Sequence, residues 1–170
     1  MSWRRFSRFA AAAAAAWSLG ILLGWALDVP AAADAGAAPD IRCASAGRIL
    51  SANVRVLAGC LLGIVTWSLA SCATLLLNGV HLGVQWQLLA GRASGGEILM
   101  LLAPHGLLEV PGILIAGAVG MMGGPAGISF FRHGSRALRL YARPAVYGTA
   151  ASFLLLLAAA LVESWNISRM

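Results

Sequence analysis

Two residues in this chain could hold or move a proton: His105 and Glu109, four apart in the stretch Pro104-His105-Gly106-Leu107-Leu108-Glu109-Val110-Pro111-Gly112. That spacing puts them on one face of a helix, close enough to pair. An imidazole next to a carboxylate can relay a proton, hold a cation, or fix the packing of two helices. The flanks are apolar for long enough to span a bilayer, so both groups stand where a charge costs roughly 3 to over 10 kcal/mol, and such residues face protein or water rather than lipid. Pro104 suits the first turn of a helix, where its missing N–H is no loss. The stretch therefore reads as a short leading segment, a break, and a helix restarting near His105. Breaks at membrane depth persist only where protein or a polar cavity covers the loosened backbone.

A buried packing pair is the first reading of His105 and Glu109, with a proton or ion pathway second. Metal binding needs three or four converging ligands; only His81, Glu97 and Glu163 could join, with no ligand spacing among them, so no metal and no cofactor are expected. Asp28, Asp34 and Asp40 all fall in one polar loop, far from His105, and no P-loop or dinucleotide fingerprint occurs. No catalytic constellation emerges and no enzyme is expected. A transporter would need a separate ATPase if it were energised by ATP.

The elements that must position these residues are set by composition. With 60% hydrophobic and 11% charged residues, and a mean hydropathy of +0.83, the chain cannot cover a soluble globule with polar surface. The expected fold is all-α: one integral membrane domain, a polytopic transmembrane helical bundle of about five spans, one of them broken at the Pro-His-Gly motif. The spans fall near 10–27, 52–70, 72–91, 97–122 and 144–163, with an external loop at 28–49 and a basic cytoplasmic segment at 124–143. The stretch 50–91 is about twice the ~20 residues one helix needs; two crossings fit it if the chain turns around 68–72, and a single long helix followed by a re-entrant piece at Asn78-Gly79 fits almost as well. The net charge of +6 comes from arginines at the ends of apolar segments, where topology signals belong, so nucleic acid is excluded as a partner.

Arg4, Arg5 and Arg8 put the N-terminus in the cytoplasm. The run at 10–27 is longer than the roughly 7–15 apolar residues of a signal peptide, which favours a retained anchor. Arg132, His133, Arg136, Arg139 and Arg143 form a second basic cluster, with the arginines spaced for one helix face and suited to topology control and headgroup contact. For both clusters to lie inside, an even number of spans must separate them. Four do on this reading, and the fifth leaves the C-terminus outside.

Asn78-Gly79 with Gly83 reads as a close helix crossing, the Asn bonding a neighbour's backbone. Asn53, Glu97 and Glu163 are further polar positions in or beside spans. Cys60 and Cys72 read as small packing residues and Cys43 as a loop thiol. Trp3, Trp25, Trp86 and Trp165 read as interface anchors, and Trp17 as packing or lipid-facing.

The order of these features resembles the stage II sporulation protein M family. Asn53 before the second span, Gly63, Leu77-Asn78-Gly79 with Gly83, Pro104-His105-Gly106 with Glu109 followed by Ile115-Ala116-Gly117, and Ala160-Leu161-Val162-Glu163 carry the likeness, which covers nearly all of 10–163. Pro111 stands where that pattern leads one to expect Ala or Leu. The resemblance implies a small multi-pass membrane protein that is not itself a hydrolase and acts as a scaffold in a membrane or cell-envelope complex. Its expected partners are the lipid bilayer, other membrane or envelope proteins, and a second copy of itself. The rival is a permease or transporter subunit using the His105–Glu109 pair, since broken helices with ionisable residues recur at transport sites.

Overall fold

The computed structural model describes residues 3–27, 46–90, 95–96 and 105–167. The helices are α1 (Trp3–Ala26), α2 (Ala46–Leu62), α3 (Leu69–Ala90), α4 (Val110–Met121), α5 (Gly123–His133) and α6 (Ser135–Ile167), with a π-turn at His105–Glu109 leading into α4. No strand occurs among the described residues. Three stretches are long and apolar enough to cross a membrane: Phe6–Ala26, Gly106–His133 (the π-turn with α4 and α5) and Leu138–Trp165 within α6. At 22 residues α3 is about 33 Å long, enough for a ~30 Å hydrocarbon core, although Asn78, His81, Gln85 and Gln87 make it less apolar. The outer surface carries Leu22, Leu77, Val146, Leu154 and Leu161 exposed, the pattern of a bundle solvated by lipid.

Glycine positions give the direction of each pass, because a side chain there would strike a particular neighbour. Gly59 faces Thr74 and Gly63 faces Ser71, so α2 and α3 form an antiparallel hairpin. Gly20 faces Leu76 and Gly79, and Gly24 faces Val80, so α1 and α3 run parallel. Gly120 lies on Cys60 and Gly123 on Gly63, which makes α4 parallel to α2. Gly148 meets Val119 and Gly112 meets Leu156, which makes α6 antiparallel to α4. The chain therefore passes back and forth five times in strict alternation, and 50–91 folds back on itself instead of forming one long helix.

The centre is α4, which touches α1, α2, α3 and α6. Gly112, Ile113 and every residue from Ala116 to Met121 are buried, so this helix has no polar face to present. Its small residues let neighbouring backbones come close. The most extensive contact, between α1 and α3, uses the same device on both sides: Gly20 and Gly24 oppose Gly79 and Gly83, with Cα atoms of Gly20 and Gly79 3.0 Å from where the other's side chain would start.

A second device closes the end of the bundle where α2 turns into α3. Pro125 has no N–H to give the Met121 carbonyl one turn back, so the helix ladder is broken where α4 meets α5. Ser68 repairs it from across the bundle: its Oγ donates to the Met121 carbonyl at 2.8 Å and accepts from the Gly124 N–H at 3.1 Å. Holding Ser68 there forces an unusual turn, with φ of 56° at Trp67 and 76° at Ser68, a region that side chains other than glycine occupy at a cost of about 1–3 kcal/mol. The Ser68 N–H closes the turn onto the Gly63 carbonyl at 2.8 Å.

Several expectations change. The turn between the second and third passes lies at 63–68 rather than 68–72, because Gly63 ends α2 and Ser68 is drawn to α4. The segment 124–143 is helical on both sides of Gly134, whose φ of 69° reverses the chain. Arg132 therefore ends α5 while Arg136, Arg139 and Arg143 stand on α6, and the four arginines do not share one helix. Cys60 is buried as expected, but Cys72 is exposed. Cys43 lies outside the described residues.

Two stability predictions follow from this packing. Gly79→Leu drives a side chain into the Trp17 carbonyl on α1 and should cost at least the ~1–3 kcal/mol of an overpacked core, read as a shifted midpoint in a denaturing-detergent titration, whereas Gly96→Leu, with open space around it, should leave the midpoint unchanged. At the clasp, Ser68→Ala should cost about 1–3 kcal/mol, and Ser68→Gly should be the milder change because glycine accepts the positive φ. The reverse order in the same titration would show that the backbone there carries no strain.

Candidate functional site

Of the polar residues that sequence reasoning singled out, Glu109, Glu163 and Asn53 lie toward the end opposite the Ser68 clasp. Pro111 cannot donate to the Leu107 carbonyl, and its ring crowds that carbonyl; a widened π-turn at His105–Glu109 accommodates both effects just before α4 becomes regular. The π-turn packs on α4 and α6. Gly106 and Leu107 are exposed, and no described atom approaches the position of a Gly106 side chain. Glu109 is half-buried and engaged with a partner. His105 opens the π-turn; its side chain, like Pro104 and Glu97, lies outside the described residues.

Registers between helices bring further polar residues to this end. Ser152 of α6 donates to the Gly112 carbonyl at 2.7 Å, which holds α6 against the first turn of α4. Glu163 lies two turns beyond Leu156 on the same helix, half-buried and engaged, toward the level of the π-turn. The α2–α4 register that sets Cys60 on Gly120 puts Asn53 level with Ile113, about a turn inward of Glu109. Asn53 is only 4% exposed, and its amide nitrogen has no hydrogen-bond partner among the described residues. A buried donor in that state costs about 1–3 kcal/mol. It can be satisfied by a carboxylate, a carbonyl or a water, so this end of the α2–α4–α6 face retains hydrogen-bonding capacity.

The other singled-out group is on a different helix pair: Asn78, Gly79 and Gly83 build the α1–α3 crossing, and the register that sets Gly117 on Leu75 puts Gly79 near the level of Ile113. The bond described for Asn78 is to a side chain: its Oδ1 accepts from the Trp17 indole N–H at 3.1 Å, which makes Trp17 a half-buried partner of the crossing. On the outer side of α3, His81 and Gln85 bond one another at 2.8 Å and are exposed. Among the described residues no group of three or more His, Cys, Asp or Glu side chains could hold a metal ion.

Sequence reasoning missed Gly20 and Gly24, although their four-residue spacing in an apolar run is the signal that was read at Gly79 and Gly83. It also missed Ser71, whose hydroxyl donates to the Cys60 carbonyl at 2.5 Å, and Ser152 and Ser68. A serine in an apolar span carries no mark of which helix it will bond.

Compared with known proteins, residues 10–166 match the family model described as Stage II sporulation protein M. No curated protein and no solved structure matches the chain.

The unpartnered amide gives a direct test of whether stability has been set aside at this end. Asn53→Val removes a buried donor that no described group satisfies, so thermal or detergent unfolding should show stability unchanged or raised by up to about 1 kcal/mol. A loss larger than that would mean the amide is bonded in the folded protein.

Proposed function

The chain belongs to the stage II sporulation protein M family, and we propose that it is a non-enzymatic scaffold, an assembly component of a membrane or cell-envelope complex. The observation that carries this reading is where the intramembrane polar groups are used. Ser71, Ser152 and Ser68 each bond a backbone carbonyl on another helix, and Trp17 bonds Asn78 across the α1–α3 crossing. Groups used in this way hold helices in fixed relation, which is what a scaffold must do to present a constant face to partners. The apolar exterior, broad on α1 and α6, is available to other membrane helices as well as to lipid.

In this reading the protein crosses the cell membrane with its N-terminus in the cytoplasm and its C-terminus outside. Alternating passes support it: they put Arg8 near the start of α1 at the same end as Arg132, Arg136, Arg139 and Arg143, and excess arginine marks the cytoplasmic side. The π-turn end then faces outward, toward envelope partners.

One observation favours the rival, a permease or transporter subunit: the buried, unpartnered Asn53 amide beside a broken helix with Glu109 and Glu163 at the same end. Companion identification and a flux assay on the same pair of proteins separate the two readings. The intact protein is crosslinked mildly in membranes, purified, and its companions identified by mass spectrometry, alongside the His105→Gln, Glu109→Gln double variant. Envelope proteins, cell-wall hydrolases among them, should be recovered equally with both. Recovery of an ATPase, or of nothing, would count against the scaffold, and loss of a solute or proton flux in the double variant would replace it with transport.

A further inference from the structure

The end of the bundle closed by the Ser68 clasp has a composition that the scaffold reading does not use. Arg8, Arg132, Arg136, Arg139 and Arg143 are concentrated there, the last four all exposed. None of the protein's six acidic residues is described at this end. Glu109 and Glu163 are at the opposite end, and Asp28, Asp34, Asp40 and Glu97 fall outside the described residues. The cluster is thus built without described counter-charges, and Arg136 and Arg139 stand in the first turns of α6, where the helix dipole disfavours a cation. With no described carboxylate beside it, positive charge arranged this way is open to an anion from outside the fold.

An aromatic ledge lies directly beside it. The left-handed backbone at Trp67 turns the indole over Gly127 and stacks it on Phe131, with centroids 5.9 Å apart and planes at 20°, and Phe130 meets Phe131 edge-on at 5.7 Å. Trp67 is 50% exposed, Phe131 75% and neighbouring Val65 73%. Phe131 is followed immediately by Arg132. Indole rings favour the headgroup level of a bilayer, with apolar surface below and water above, and arginines just beyond reach the phosphates. A lipid satisfies both features at once, its phosphate meeting the arginines and its acyl-glycerol portion the ledge, whereas an acidic protein segment supplies only the charge.

We propose that this end is a binding surface for anionic phospholipid headgroups, with Arg132, Arg136 and Arg139 taking the phosphate and the Trp67–Phe131 ledge seating the acyl-glycerol portion. The inference is independent of the scaffold reading and of which side of the membrane this end occupies.

The test uses the full chain in phosphatidylcholine nanodiscs doped with phosphatidylglycerol, extracted in mild detergent, with retained lipid identified by native mass spectrometry. Phosphatidylglycerol should be retained over phosphatidylcholine by about tenfold or more, with the preference falling as salt is raised. The Arg132→Gln, Arg136→Gln, Arg139→Gln variant should lose the preference, and the corresponding Lys variant, which keeps the charge, should retain it; Trp67→Ala should reduce retention of phosphatidylglycerol while leaving its salt dependence in place. Equal retention of the two lipids by the wild type overturns the proposal without recourse to any variant. Displacement of phosphatidylglycerol by free glycerol phosphate, or by a poly-glutamate peptide, overturns it in favour of a soluble phosphate or an acidic protein.

Discussion

Hydrocarbon does not drive apolar helices together as water does, so association within a bilayer depends on how closely the helices can touch. Here that closeness has two seats, the α1–α3 glycine crossing and the run of α4 into the first residue of α5. A methyl group at Gly120 would strike both the Cys60 carbonyl of α2 and the Ser71 hydroxyl of α3; one at Gly117 would come within 2.6 Å of Leu75; one at Gly123 would meet the Gly63 carbonyl. A single added carbon at Gly120 therefore displaces two helices at once. Dispersion forces, each worth only ~0.1–0.2 kcal/mol per atom pair, sum to a useful total only if all these approaches are kept together.

Such a centre is built from poor helix formers. Glycine costs about 1 kcal/mol relative to alanine in a water-exposed helix, and prolines at 111, 125 and 144 each remove a ladder bond. Burial in lipid changes the balance, because an unbonded backbone group there has no water to turn to and the helix is the cheapest way to satisfy it. At two of these prolines the fold supplies a remedy for the stranded carbonyl. At Pro125 it is the Ser68 hydroxyl, held by two strained residues. At Pro111 it is a widened turn. The first remedy ties two helix pairs together, while the second leaves Gly106 and Leu107 exposed.

How far these features could be read in advance depends on whether they are local. The all-α membrane class and the glycine crossing at Gly79 and Gly83 follow from composition and spacing, and the family likeness read at Asn53, Pro104-His105-Gly106 and Glu109 is matched over 10–166, while the break expected at Pro104 lies outside the described residues. The reversal at Gly134 was concealed because arginines at helical spacing run straight across it; a single positive φ outweighs that periodicity. The Asn78 side chain was expected on a backbone, but Trp17 is far away in sequence and its indole N–H is the stronger claimant once the helices cross. Ser68, Ser71 and Ser152 were silent for the same reason: a hydroxyl in an apolar span finds whichever carbonyl the packing delivers. Local composition and spacing were legible, and contacts made by three-dimensional register were not.

The two ends of the molecule consequently differ in kind. At the arginine end, a strained turn, a cross-bundle serine clasp and stacked aromatic rings fix the backbone, so the charges there are displayed from a stiff frame. At the other end, the ladder relaxes into a π-turn, a buried amide is left with an open donor, and both described carboxylates of the molecule are half-buried nearby. Conformational change needs groups whose bonding can be exchanged at small cost, and only the second end has them. If the protein responds to a partner or a solute, the physical case is that the response begins at the π-turn and is passed to α2, α3 and α6 by α4, since α4 touches all three and has no slack in its packing.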